Sequence, residues 1–360
     1  MAGRLVAVAL TLMVLVFPGC TSAPSWTPVA LPGGATPVVI AASPDGLLVG
    51  TRLGTGAPGL VTVQGSAATQ GSVQGQSSYA TEAQWTSLAT AAGNVVAVAG
   101  VRGGAHGNVR WTIWRGSASA LTEEPQTFET FGGWGMGTLT GATFTGSAPL
   151  LVGSWSSETA GLEPAVWRAS GTTWTRVPSQ GTALANTATF QHQVQGVAAL
   201  GDRAVLVGRT LHLGPTLTSV ASVWFVGSTV EARQTLPAPT GLVAGQAVSC
   251  DAGHCLVVGH ADGRLVAWLV DGVTATALSV PAENVADTEI LPTPVIADQD
   301  LVILAPDHDG TLLLRSRDGG AAWSTSEGPQ GNPVAVARAG SSLYVLTEAA
   351  GQATLWLAPW

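Results

Sequence analysis

Leu47-Leu48-Val49-Gly50, Val96-Ala97-Val98-Ala99-Gly100, Leu150-Leu151-Val152-Gly153, Val205-Leu206-Val207-Gly208, Leu256-Val257-Val258-Gly259, Leu301-Val302-Ile303-Leu304-Ala305 and Leu343-Tyr344-Val345-Leu346-Thr347 are seven short apolar runs. Each follows a turn signal and ends on a small or polar residue. Their last residues are spaced by 50, 53, 55, 51, 46 and 42 positions. A period near fifty, filled with strand-length segments and lacking a helical pattern, specifies an all-β fold, a seven-bladed β-propeller of four-stranded antiparallel blades.

The rest of each repeat reads outward from that run, which is the second strand. The preceding turns are Ser43-Pro44-Asp45-Gly46, Gly93-Asn94, Gly146-Ser147, Gly201-Asp202, Asp251 to His254, Asp298-Gln299-Asp300 and Gly340-Ser341, rich in residues that accept positive φ. A first strand lies before the turn, as in Val197-Ala198-Ala199-Leu200. The third strand carries Trp114, Trp167, Trp224, Trp268 or Trp356. The fourth runs to Pro125, Pro178, Pro237, Pro281 or Pro329, as suits an exposed edge where a missing N–H costs little. The last repeat lacks a fourth strand. Trp26-Thr27-Pro28-Val29-Ala30-Leu31-Pro32 has the look of Trp174-Thr175-Arg176-Val177-Pro178, so the N-terminal strand is expected to close the ring. The blades then cover 33–75, 85–126, 138–180, 194–238, 245–282, 293–329, and 333–360 joined to 26–32.

Gly accounts for 46 of 360 residues and charged residues for 10%, in keeping with many strands and tight turns. Lys is absent, and the net charge of −8 without any basic run argues against nucleic acid or an anionic membrane surface as partner. Residues 1–19 read as a signal peptide: Arg4, then an apolar stretch from Leu5 to Phe17, too short to span a bilayer. Gly19-Cys20 followed by Thr21-Ser22-Ala23-Pro24-Ser25 resembles a bacterial lipobox, although Phe17 and Pro18 depart from its pattern. That resemblance implies a lipid on Cys20, a short linker over 20–25, and an extracytoplasmic propeller over 26–360 held at the cell membrane; an ordinary secreted protein cut nearby is the alternative. Export meets an oxidising compartment, so Cys250 and Cys255, flanking one turn, are expected to form a disulfide. No metal or other cofactor and no higher oligomer is expected. Asp307-His308-Asp309-Gly310 lacks the later Glu of a calcium loop and reads as a β-turn.

One local motif resembles a known family. Ser316-Arg317-Asp318-Gly319-Gly320-Ala321-Ala322-Trp323 matches the Asp-box, Ser-x-Asp-x-Gly-x-x-Trp, of the BNR propellers of the sialidase-like superfamily; the matching residues are Ser316, Asp318, Gly320 and Trp323. The resemblance implies a hairpin between third and fourth strands, with Asp capping the turn, Gly taking the unusual φ, and Trp packing into the blade. Residues 167–174 look like a decayed copy, with Ala169 in place of Asp. It does not carry over sialidase chemistry: the family's Arg-Ile-Pro signature is absent, and Tyr79 and Tyr344 are the two tyrosines available as nucleophile.

In a propeller the loops after the second strands and between blades ring one face of the channel. Arg52, Arg102, Trp155, Arg209, His260, Asp307 with His308, and Glu348 follow the second strands, and His106, Glu158, His212 and Asp262 come a little later. His192 lies on a blade-to-blade connection. Trp134, between glycines, is either an exposed anchor or a channel lid. Polar groups converging on a concave mouth define the expected ligand site. The reading is therefore a non-catalytic binding module for an unknown glycan, small polar ligand or surface protein. The alternatives are a divergent glycan-processing hydrolase and a structural or assembly factor at the cell surface.

Overall fold

The computed structural model describes residues 24–103, 107–133, 136–157, 160–238, 241–272, 274–308 and 310–360. Cys20, His106, Trp134, Glu158 and Asp309 lie outside them. The chain forms seven antiparallel blades in a ring, over residues 36–70, 84–123, 136–177, 190–235, 243–278, 295–330 and 332–359. Blade one shows the plan: inner strand Thr36–Ser43, second strand Gly46–Arg52, third strand Pro58–Gln64, outer strand Ala67–Gln70. The ring closes as expected. Blade seven takes its outer strand from the N-terminus, Thr27 opposite Leu357 and Pro28 opposite Trp356. The Val29 N–H extends the ladder by donating to the Leu355 carbonyl at 2.8 Å. Blade two departs from the four-stranded plan: Ser72–Gln74, leaving blade one, adds a fifth strand parallel to Ala120–Glu123. Parallel addition is open to it because blade one's exit chain passes along that edge, which it covers.

The second strands explain themselves. They are continuously apolar because each is buried on both faces, with alternate side chains entering different seams. Leu47 and Val49 pack toward blade seven, while Leu48 packs toward blade two. Leu256 and Val258 face blade six, and Val257 faces blade four. The buried side chains thus divide into seven clusters, one for every seam between adjacent blades. The Gly at the strand's end also has a cause. Inner strands carry a bulge opposite it, as between Val194 and Gly196, or between Gly245 and Ala247. A Cβ on Gly208 would stand 1.8 Å from the Gln193 carbonyl oxygen, and one on Gly259 1.9 Å from that of Ala244.

Three of the third-strand tryptophans tie their blade to the connector that leads into it, while Trp114 and Trp356 donate to Thr112 and Thr347 of their own blades. The indole N–H groups of Trp167, Trp224 and Trp268 donate to the carbonyls of Thr130, Ala183 and Pro237. Such bonds satisfy buried polar groups on connectors that have no sheet partner. Around the 316–323 turn, Asp318 Oδ1 accepts from the Ala322 N–H at 2.9 Å and the Ser316 hydroxyl at 2.8 Å, and Ser316 Oγ accepts from the Gly320 N–H. The Ala322 N–H and the Ser316 hydroxyl together hold the Asp318 carboxyl below its ordinary range. Trp323 packs against the seam of blades five and six.

Cys250 and Cys255 are disulfide-bonded. Their Cα atoms are 4.0 Å apart, shorter than the usual span of roughly 4.4–6.8 Å. The two residues stand directly opposite one another in the hairpin, next to the pair closed by Asp251 N–H and the His254 carbonyl. That places them at a non-hydrogen-bonded position, where strands approach to about 4.5 Å.

Candidate functional site

Blades one to six each enter by the inner strand and leave from the outer strand at the same end, so the propeller has two unlike rims. One carries the hairpin turns between first and second strands, and between third and fourth. The other, the loop rim, carries the loops after the second strands and the blade connectors. The Gly331 link, a single residue between Gln330 of blade six and Asn332 of blade seven, shows how tightly outer and inner ends meet there.

The candidate residues occupy the loop rim in separate settings. Arg52 and Glu348 line a cavity of about 290 Å³ between blades one, two and seven, with Thr36 and Trp85. Arg102 lines a different cavity of about 350 Å³. Arg209 donates its Nε–H to Gln193 Oε1 at 2.8 Å. Trp155 is half-buried, with its ring 6.2 Å from that of Trp167 and the Arg176 guanidinium 4.8 Å over its face, so it is engaged within blade three. His260 is buried; its Nδ1 lies 2.9 Å from Oδ1 of the half-exposed Asp287, without hydrogen-bond alignment. Asp307 accepts the His308 backbone N–H at 2.7 Å, closing its own turn. Asp262 likewise takes the Leu242 N–H. His192 belongs to the inner strand Phe190–Leu200 and is buried against Trp224. The central channel, about 540 Å³, is lined by inner-strand residues such as Thr86, Ser87, Thr140, Ser249 and Arg338, and by none of the candidates.

The loop rim holds a second feature that the repeat reading missed. Two adjoining cavities of about 350 and 320 Å³ share Val109, Arg110, Trp111, Phe128 and Gly132. The Arg110 guanidinium lies 4.6 Å from the Phe128 ring centroid and 6.0 Å from that of Tyr79. Gly103 makes room for this: a Cβ there would meet Tyr79 Cε1 at 3.0 Å. The residues come from the third strand of blade two and from the connectors on either side. No spacing rule links positions 79, 110 and 128; the one hint in the sequence was an aromatic placed in a polar connector.

No protein-family model matches the chain, and no curated protein matches it. Solved structures similar to it include a sialidase of Trypanosoma rangeli (11% identity, TM-score 0.46, covering 82% of this chain and 56% of that one). BamB from Moraxella catarrhalis is similar at 12% identity and TM-score 0.47, covering 93% of this chain and 100% of that one. The β-propeller domain of the Trilobed protease from Pyrococcus furiosus gives 9% identity, TM-score 0.39 and coverage of 78% and 94%. The chain spans little more than half the length of the sialidase chain.

Proposed function

We propose that this protein is a lipid-anchored, extracytoplasmic propeller of the Asp-box type that works as a non-catalytic binding module, docking a partner on its loop rim. The observation that carries this is the placement of exposed apolar surface. Among the described residues, the large hydrophobic side chains that stay exposed are Tyr79, Phe128, Leu162, Leu213, Leu217, Leu242, Ile290 and Val334. All eight lie on connectors, on loops after second strands, or on the strand ends beside them. Among the described residues the opposite rim has none. Scattered exposed apolar residues need no explanation, but their confinement to one rim favours that rim as the docking face. Ile290 is 85% exposed, on the connector between blades five and six, a region without packing need for it.

Site-specific photo-crosslinking in the cell tests the proposal. Probes at Ile290 and Leu217 should give discrete crosslinked species in the membrane fraction, while probes at Asp45 and Gly146 on the opposite rim should give none. Equal crosslinking from both rims, or none from either, would count against a docking face. Hydrolysis of fluorogenic glycosides by the purified chain would favour the hydrolase alternative instead.

A further inference from the structure

The paired cavities beside Arg110 have a chemistry of their own. Their walls are Tyr79, Val109, Trp111, Phe128 and Phe131 on the apolar side, with Arg102 and Arg110 as the cations. Phe128 is 54% and Tyr79 38% exposed, so each ring keeps surface open to solvent even with Arg110 against it. The acids that border the cleft are already committed. Glu123 accepts the backbone N–H groups of Gln76 and Ser77 and the Ser77 hydroxyl, and Glu124 holds Arg115 and the Trp174 indole N–H. Glu82 and Glu129 line neither cavity.

No described carboxylate forms an ion pair with Arg102 or Arg110. Among the described residues Arg102 makes one hydrogen bond, a long one of 3.4 Å to the Gly107 carbonyl. Trp111 lines both cavities, and its buried indole N–H has no hydrogen-bond partner among the described residues. Arg102 and Arg110 on the lining are balanced by Glu123 and Glu124, but Arg115 pairs with Glu124, so one positive charge stays in excess and neither Arg102 nor Arg110 has an ion-pair partner among the described residues. Arg110 is held in plane by aromatic faces, which leaves its N–H edge for a carboxylate.

We infer that this cleft binds an acidic peptide segment carrying an aromatic or aliphatic anchor residue. The anchor lies against Phe128, Tyr79 and Val109, and a neighbouring carboxylate is forked by Arg110 with Arg102 beside it. An acidic peptide suits this wall because Phe128, Tyr79 and Val109 seat an apolar anchor beside two cations that lack ion-pair partners, and retention of an acidic glycan instead is an outcome of the test. The inference rests on the docking-module reading and names one occupant for one sector of that rim.

Selection of a random heptapeptide display library on the immobilised full chain tests it. The enriched peptides should combine Asp or Glu with Phe, Trp or Leu. A labelled synthetic copy of an enriched peptide should bind, and R102Q/R110Q should weaken it about 100-fold, roughly tenfold for each lost charge-assisted contact. R110K should recover little, since an ammonium keeps the charge but lacks the fork, and F128A should weaken binding with an unchanged melting temperature. Enrichment of neutral or basic peptides, enrichment that survives R102Q/R110Q, or no peptide enrichment while a uronate oligosaccharide is retained, would overturn the inference. The probes at Ile290 and Leu217 lie outside this cleft. Crosslinks from them without peptide selection would remove only the cleft; peptide selection without those crosslinks would confine binding to it and remove the wider docking face.

Discussion

His192 is about 6% exposed, and its Nδ1 lies 3.0 Å from Thr210 Oγ1, which in turn meets Ser222 Oγ at 2.9 Å. Its backbone N–H donates to Asn186 Oδ1, and the Asn186 N–H donates to Glu163 Oε2, so one buried chain of polar groups joins blades three and four. Burial, aided by the Arg233 and His212 charges, lowers the imidazole pKa to about 4. The unfolded chain takes up the proton near pH 6.5, before the folded one does. Stability from this group is thus complete above about pH 6.5 and is lost as pH falls toward 4, by an amount on the order of 1–3 kcal/mol. Urea midpoints measured from pH 7.5 to 4 should fall over that window, and His192→Gln should flatten the fall. An equal slope in both proteins would place the acid sensitivity elsewhere. The sequence shows a His but not its burial, because the blade-four inner strand begins four residues earlier than its apolar pattern does. The four added strand residues carry His192 inside.

At the scale of the element, the hairpins are where sequence and structure agree best. Turn chemistry is local, so Asp251 to His254 or Gly201-Asp202 could be read without knowing their neighbours. The Asp251 carboxylate does more than close its turn: Oδ1 accepts the Gly253 and His254 N–H groups, and Oδ2 accepts the Asp298 N–H of blade six. The disulfide fixes the same hairpin, across a sequence separation of 5. Chain-entropy reasoning for so short a loop gives about 2 kcal/mol. Cys250→Ser/Cys255→Ser should lower unfolding free energy by about that much while leaving the far-ultraviolet dichroism unchanged. A loss well above it would mean that the hairpin also transmits strength to blade six through Asp251. What could not be read locally is the extra strand Ser72–Gln74. It pairs with Ala120–Glu123, a partner nearly fifty residues away whose edge becomes available only in the folded ring.

For the whole molecule, the count of blades and the closing strand were legible because both are periodic: seven second strands at similar spacing, and an N-terminal segment that repeats an internal outer strand. The candidate site was legible only as a rim. Periodicity assigns Arg52, Arg102, Arg209 and His260 to one end of the blades, but which of them share a cavity depends on connector paths that have no repeat. Arg52 and Arg102 therefore end in different cavities, and Arg110 with Phe128 escaped notice. Ring closure is the property that holds all these connectors in place. Val29 is 7% exposed and sits in a cluster with Leu47, Val49 and Val63 of blade one and Tyr344 and Leu355 of blade seven. The N-terminal strand thus does two things: it completes blade seven and plugs the seam to blade one. Removing it exposes an edge and opens a cavity beside Leu355, costs expected to sum to several kcal/mol. A chain starting at residue 33 should unfold at a clearly lower denaturant concentration than one starting at residue 24. A synthetic peptide of residues 24–34 added in trans should restore the midpoint in a concentration-dependent way. Val29→Asp in the longer chain should mimic the truncation, since it buries an unpaired charge in the seam. If the truncated chain unfolds at the same midpoint and ignores the peptide, the ring is held by the inner and second strands of blades one and seven alone, and the N-terminal pairing is only a cover.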